Sequence, residues 1–309
     1  MSIRYLNNNE INYYRWDRCI KSSFNSLIYG YSWYLNTVCQ DWAALIEGDY
    51  ETVMPLPLTS RFGLKGIKTP CFVNQLGIFS SKLINSEKVR EFLKAIPSRI
   101  LFIDLCINKF NKVNWKGAIA LKKSHYELDL IKSYPKISKG YNVQLNEKLA
   151  EARKSKLTVT KGISPNVLLK LNRSLQKPVP KKNGEGKSRL LKSLISTSLR
   201  YHFGELFGVF DAFNTPCCAA FFVWSESRAI LLFSVTSPEG IKENAFHFLI
   251  DHFIQMNSNR FITLTFDYSE FDEFANAYKQ FGAIESEYQN IIKNRLPFVS
   301  GIIKKQMMV

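Results

Sequence analysis

AILLFSV (229–235) and RFITLTF (260–266) enclose IKENAFHFLIDHFIQM (241–256), and this run decides the fold. The outer segments are short, nearly unbroken apolar stretches, the pattern of strands buried on both faces. The middle segment has the length and apolar content of a helix. Strands joined through a helix imply a mixed sheet with helices on its faces, hence an α/β class. Just upstream, ELFGVFDAFNTPCCAAFFVW (205–224) reads as a hairpin turning around Asn214-Thr215-Pro216.

The same order occurs earlier. WAALIEGDYETVMPLPL (42–58) reads as a hairpin turning at Gly48-Asp49, CFVNQLGIFS (71–80) as a strand, EKVREFLKAI (87–96) as an amphipathic helix, and RILFIDLCI (99–107) as a buried strand. Leu45 and Ile103 are 58 residues apart, and Val209 and Leu264 are 55 apart. Matched spacing points to one unit used twice. The polar IKSYPKISKG (131–140) between them suggests domains 1–138 and 139–309. A helix follows at 143–156, with Leu145, Leu149 and Ala152 as its buried stripe. Lys148, Arg153, Lys154 and Lys156 form either a solvated face or a phosphate-contacting one.

A length of 309 residues with 46% hydrophobic content suits two cores rather than one. Lys and Arg number 42 against 26 Asp and Glu, a net charge of +16. Such an excess favours polyanionic partners such as RNA, a phosphorylated donor or an anionic membrane surface, or else serves only solubility. MSIRYLNNNE (1–10) lacks the apolar core of a secretory leader, and CCAAFFVW (217–224) is too short to span a bilayer. Six cysteines without a CxxC pair read as reduced thiols of a cytoplasmic protein. No metal site is expected, because His247 and His252 are five apart and miss a shared helix face. GEGKS (184–188) lacks the upstream glycine of a phosphate loop, so KPVPKKNGEGKSR (177–189) reads as a mobile basic loop.

Near the C-terminus, FANAYKQFGA (274–283) places Phe274, Ala277, Tyr278 and Phe281 on one helix face, closed by Gly282. Hairpin, strand, helix, strand and a helix ending Tyr-x-x-x-Gly together resemble the Gcn5-related N-acetyltransferase (GNAT) fold. Tyr278-Lys279-Gln280-Phe281-Gly282 matches that family's closing tyrosine helix, with Asn276 where the family often has Asn. Two such units resemble the FemABX-like branch of peptidoglycan aminoacyltransferases. LNEKLAEARKSKLTV (145–159) is similar to the basic helix opening that branch's second domain. IYGYSWYL (28–35), VMPLPL (53–58), CFVNQLGIFS (71–80), LTFDYS (264–269) and NRLP (294–297) resemble a Bacteroidetes group within it.

The resemblance implies tandem GNAT-like domains, the first a substrate platform and the second binding the donor and carrying the chemistry. The implied reaction moves an acyl or aminoacyl group to an amine of an envelope-related or peptide-like acceptor. The alternatives are an acetyl-CoA-dependent N-acetyltransferase and a non-catalytic binding module. One segment departs from the pattern. Where CoA-using members carry a glycine-rich pyrophosphate loop, TSPEGIKENA (236–245) has Gly240 alone, beside the acidic Glu239, with Lys242 partly offsetting it. That departure favours an aminoacyl-tRNA or other bulky ester over acyl-CoA as donor. No covalently bound cofactor is expected.

Acyl transfer needs donors for the oxyanion, commonly main-chain amides where two strands part. The resemblance places that gap between 229–235 and 260–266, with Ser234, Val235, Thr236, Gly240, Lys242 and Asn244 about the donor. Tyr278 is then the leaving-group acid or a positioning hydroxyl; on periodicity alone it is a packed aromatic. Asp267, at the carboxyl end of its strand, is a candidate base or amine anchor, or a turn carboxylate, and Tyr268 follows it. Tyr29, Tyr31 and Trp33, with Tyr34, are either a stacking surface for the acceptor or core. Asn74 and Gln75 are amides in an apolar segment, candidates to line a ligand cleft.

Overall fold

A computed structural model describes residues 2–61, 63–175, 181–266 and 272–295. The chain opens with β1 (Ile3–Asn7), α1 (Tyr13–Ser22) and α2 (Ser32–Val38). Asn12 caps α1 by accepting the Arg15 N–H. The first expected hairpin forms as β2 (Trp42–Glu47) and β3 (Thr52–Arg61), with Gly48 and Tyr50 at positive φ in its turn. β4 (Leu64–Lys68), β5 (Phe79–Ser80), α3 (Ser86–Ala95), β6 (Phe102–Ile107) and β7 (Ile119–Asp129) follow. After α4 (Tyr134–Ser138) come α5 (Val143–Lys154), β8 (Thr158–Lys161), α6 (Pro165–Leu175) and α7 (Lys181–Arg200). The second hairpin is β9 (Gly204–Phe210) with β10 (Pro216–Ser225), turning through Asn214 at φ 60°. β11 (Arg228–Thr236), α8 (Pro238–Lys242), α9 (Ala245–Asn257), β12 (Thr263–Phe266), α10 (Asp272–Gln280) and β13 (Ile284–Asn294) complete the described chain.

Two compact units result: residues up to Lys123 together with the chain from Tyr288 on, and Ser124–Glu287. The strand order of the first is β1-β2-β3-β4-β6-β13, with β4 and β6 parallel. That of the second is β8-β9-β10-β11-β12-β7, with β11 and β12 parallel. Each is an antiparallel run whose fourth and fifth strands are parallel, with a helix, α3 or α9, between those two in the chain. The repeat is therefore present, but each unit takes its sixth strand from the other repeat. β7 follows the first repeat and contributes Ser124–Asp129 to the second unit, and β13 follows the second and contributes Tyr288–Asn294 to the first. The polar stretch 131–140 lies inside the second unit, where it forms α4. The division falls instead at Lys123 and Ser124, within β7.

Two expectations are corrected. The parallel strand of the first repeat is β4, not 71–80; the latter is irregular apart from a bridge between Leu76 and Ile107 and the short β5. Gly77 has φ +102°, and side chains replace a ladder at Ile78: its N–H donates to Asn111 Oδ1 (2.6 Å) and its carbonyl accepts from Asn25 Nδ2 (2.8 Å). The expected basic loop at 177–189 is helical from Lys181, because Leu191, Leu194 and Ile195 bury one face of α7 and extend the helix through the charged segment.

One core of the second unit lies between its sheet and α9. Tyr126, Leu128, Leu264, Phe266, Ala229 and Leu231 meet Leu249, Ile250, Phe253 and Ile254 of α9. Phe222 and Phe253 stack with ring centres 3.9 Å apart. Each such buried side chain contributes about 2–3 kcal/mol of transfer free energy. No helix among the described residues is long and apolar enough to cross a membrane.

Candidate functional site

β11 and β12 are in register from Arg228 opposite Thr263 to Leu231 opposite Phe266, and the described pairing ends there. At that point β11 bulges. Phe221 and Phe222 of β10 face Phe233 and Leu231, leaving Leu232 as the extra residue. β11 nevertheless stays paired with β10 as far as Thr236 opposite Cys218. Burial changes at the same place: Ala229, Ile230 and Leu231 are buried, while Leu232 through Thr236 are half-exposed. Beyond the bulge, one edge of β11 lies outside any described ladder. Main-chain groups on such an edge need partners, and a ligand carbonyl is a suitable one.

Ser234, Val235 and Thr236 lie on this stretch, opposite Ala220, Ala219 and Cys218. The segment that follows is closed on itself. Ser237 Oγ accepts the Gly240 N–H (3.0 Å), the Ile241 N–H goes to Ser237 O, and the Glu243 N–H to Glu239 O. Gly240 is buried against β10, and a Cβ there would stand 2.4 Å from the Cys217 carbonyl oxygen. Its glycine identity answers to close packing, and its N–H is occupied. Asn244 adopts the left-handed conformation that separates α8 from α9, and its side chain donates to Glu151 Oε2 (3.0 Å). Lys242 is exposed at the end of α8.

Tyr278 stands beside the end of β12. Its ring stacks on Phe266 (4.4 Å between centres) and neighbours Tyr126 (5.9 Å), and the residue is 6% exposed. The ring is thus packed in the core of the second unit. Asp267 and Tyr268 lie outside the described residues.

The opposite side of the same strands carries a polar cluster that the sequence reading missed. Side chains alternate along β7, so His125 and Glu127 face away from Tyr126. Arg228 Nη1 lies 2.6 Å from Glu127 Oε1, and His125 Nε2 is 3.0 Å from that same oxygen. Arg228 also reaches Thr265 Oγ1 (3.4 Å). Glu127 is opposite Thr265 and Tyr126 opposite Phe266, so His125 stands one step further, at the carboxyl end of β12 where β11 bulges. The imidazole is buried, with 1% exposed. The alternation in HYELDL (125–130) was the available signal, since it has the period of a strand.

Around α9, Lys148 Nζ lies 3.3 Å from His247 Nε2 and 3.3 Å from Gln280 Oε1. Burial, and secondarily the Lys148 charge, push the His247 imidazole down to about 4. Further along, buried Asp251 accepts the hydroxyls of Tyr134 (2.8 Å) and Tyr141 (3.0 Å). Burial first, with the carboxylate behind it, pushes the Tyr134 phenol up to about 12 and raises that of Tyr141 as well.

In the first unit Tyr29, Tyr31 and Trp33 are buried, and Tyr29 and Trp33 both pack edge-on against Tyr34. An acceptor ring would reach them only through an opening of that core. Gln75 is buried and accepts the Lys109 N–H (3.2 Å), while Asn74 is half-buried in the irregular 71–78 segment.

Among solved structures the chain is similar to FemX, with 12% identity over 94% of this chain and 97% of that one and a TM-score of 0.62. It is also similar to a tandem GNAT protein from the clavulanic acid biosynthesis pathway, with 9% identity, 96% and 99% coverage and a TM-score of 0.57. L-PGS from Bacillus licheniformis matches at 8% identity, with 92% and 91% coverage and a TM-score of 0.54. No family model matches the sequence, and no curated protein matches it. The chain thus has a tandem GNAT fold, matched over 94–96% of its length.

Proposed function

We propose that the second unit transfers an acyl or aminoacyl group from an activated ester to an amine, with an aminoacyl-tRNA ahead of acyl-CoA as donor. The observation that carries this reading is the Leu232 bulge of β11, which falls where the described pairing with β12 ends, beside Tyr278 and within a tandem GNAT fold. The exposed edge of β11 from Leu232 to Val235 holds the reacting carbonyl, and its amides stabilise the oxyanion. A free alkylamine has a pKa of about 10.4, so attack requires a base. His125, oriented by Glu127, is the candidate on one side of the sheet, and Asp267 is the candidate from the sequence reading. Tyr278, on the other side, donates to the leaving alcohol. The amine nitrogen forms the new C–N bond, the ester C–O bond breaks, and the amine proton passes to the base.

The donor preference rests on the 236–245 segment. A pyrophosphate cradle presents free N–H groups, whereas those of Gly240, Ile241 and Glu243 are already bonded within the segment. The first unit serves as platform for an envelope-related or peptide-like acceptor. The test supplies the full chain with labelled aminoacyl-tRNA or with acetyl-CoA, together with amine and peptide acceptors. Label is expected to move to the acceptor from aminoacyl-tRNA. Transfer from acetyl-CoA alone would overturn the donor assignment, and transfer from neither would leave the fold as a binding module.

A further inference from the structure

A second functional surface lies in the first unit, apart from the residues of the transfer reading and independent of it. From Leu105 to Lys123 the chain carries five lysines and no carboxylate, and from Tyr288 to Arg295 it carries Lys293 and Arg295, again with no carboxylate. The fold joins these segments: β13 pairs with β6, the Val113 N–H donates to Gln289 Oε1 (3.0 Å), and Lys293 Nζ donates to the Lys116 carbonyl (2.6 Å). Lys293 Nζ sits 4.4 Å over the Trp115 ring, and the Arg295 guanidinium is 5.5 Å from it. Burial, and secondarily the Arg295 charge, lower the Lys293 pKa. Lys112 and Lys116, in the segment that leads into β7, are exposed. β7 itself carries exposed apolar side chains: Ile119 (45%) and Leu121 (46%), two residues apart and so on one side of the strand.

Positive charge alone would suit any polyanion. The apolar groups narrow the choice. RNA is gripped by aromatic faces on which bases stack. Here Lys293 and Arg295 already lie over the Trp115 ring, and the strand offers branched aliphatics, which gain free energy in hydrocarbon and little from a base. Aliphatic side chains ringed by lysines, with a half-buried tryptophan behind them, match the headgroup–acyl boundary of a bilayer. We propose that this edge of the first unit docks on a membrane surface rich in anionic phospholipid. Ile119 and Leu121 enter the acyl boundary, and Lys112 and Lys116 meet the phosphates.

Co-sedimentation of the full chain with vesicles tests this. One vesicle set is phosphatidylcholine alone and the other is phosphatidylcholine mixed with phosphatidylglycerol. Binding is expected only to the mixed vesicles and weakens as salt rises. The double substitution Ile119→Ser with Leu121→Ser should lower partitioning by on the order of tenfold, because both side chains leave the hydrocarbon boundary. Replacing Lys112 and Lys116 with serine should lower it by on the order of twenty-fivefold, about fivefold per lysine. All four positions are exposed, so thermal unfolding should match the parent; Lys116→Glu alone is the fallback if the double lysine variant unfolds. Equal binding to both vesicle sets, or no binding to the mixed set, overturns the proposal. So does a lysine variant that loses retention of tRNA on a filter while its vesicle binding is unchanged.

Discussion

Replacing Gly240 with alanine separates the two reasons a glycine can stand in the 236–245 segment. In a phosphate cradle the glycine lets backbone approach ligand; here it lets α8 approach β10. An alanine Cβ would lie 2.4 Å from Cys217 O and 3.0 Å from Thr236 Cγ2. The first contact is with a backbone carbonyl fixed by the Ser237 N–H (2.8 Å), so the neighbour cannot rotate away without losing that bond, and the cost is at the upper end of overpacking, about 3 kcal/mol. Against it stands the gain of alanine over glycine within a helix, about 1 kcal/mol. The net loss is about 2 kcal/mol, which for a unit of this size lowers Tm by about 4–8 °C. Thermal unfolding by circular dichroism measures the shift, and titration with CoA under the same conditions measures ligand affinity. An unchanged Tm together with a large loss of CoA affinity would refute the packing argument and restore the phosphate-loop reading.

Gly186, within α7, has nothing within 4 Å of its would-be Cβ, so Gly186→Ala should raise stability by about 0.5–1 kcal/mol, the opposite sign in the same assay. Asp251→Leu strips two tyrosine hydroxyls of their acceptor and should cost about 3 kcal/mol in urea unfolding, whereas Asp251→Asn keeps the accepting oxygen and should cost about 1 kcal/mol. His247 has a folded pKa of about 4 against the ordinary imidazole value of 6.5, so the unfolded chain binds its proton first. Its contribution to stability is whole above pH 6.5 and is lost as pH falls towards 4, by about 1–2 kcal/mol between pH 7 and pH 5 after allowing for partial exposure. His247→Phe should flatten that slope, and an unchanged slope would assign it to other groups. Tyr278→Phe should lower transfer by about tenfold to a hundredfold with the fold intact. His125→Gln should shift the pH dependence of transfer as well as its rate; loss of rate with the same profile would remove His125 as base.

Much of this architecture could be read locally. Both hairpins, α3, α5, α9, α10 and the buried β6, β11 and β12 follow from periodicity and turn residues a few positions apart, because a helix or hairpin is specified by its own neighbours. β4 was missed because five residues, LKGIK, are too short to show alternation, while apolar 71–80 imitated the strand it was not. Asn25, Asn108 and Asn111 bond to that segment from 32 to 53 positions away, beyond any window on the sequence. The exchange of β7 and β13 between repeats is likewise a choice of pairing partner, and the hydrogen-bonding edge of a strand carries no label in its side chains. That choice brings Glu127 to Arg228 across 101 residues and sets His125 at the carboxyl end of β12. The amino-acid order by itself determined two α/β repeats and a closing tyrosine helix. Only the tertiary structure decided where β11 bulges, which glycine is held by packing and which charges meet, because those depend on contacts between segments that local propensity cannot join.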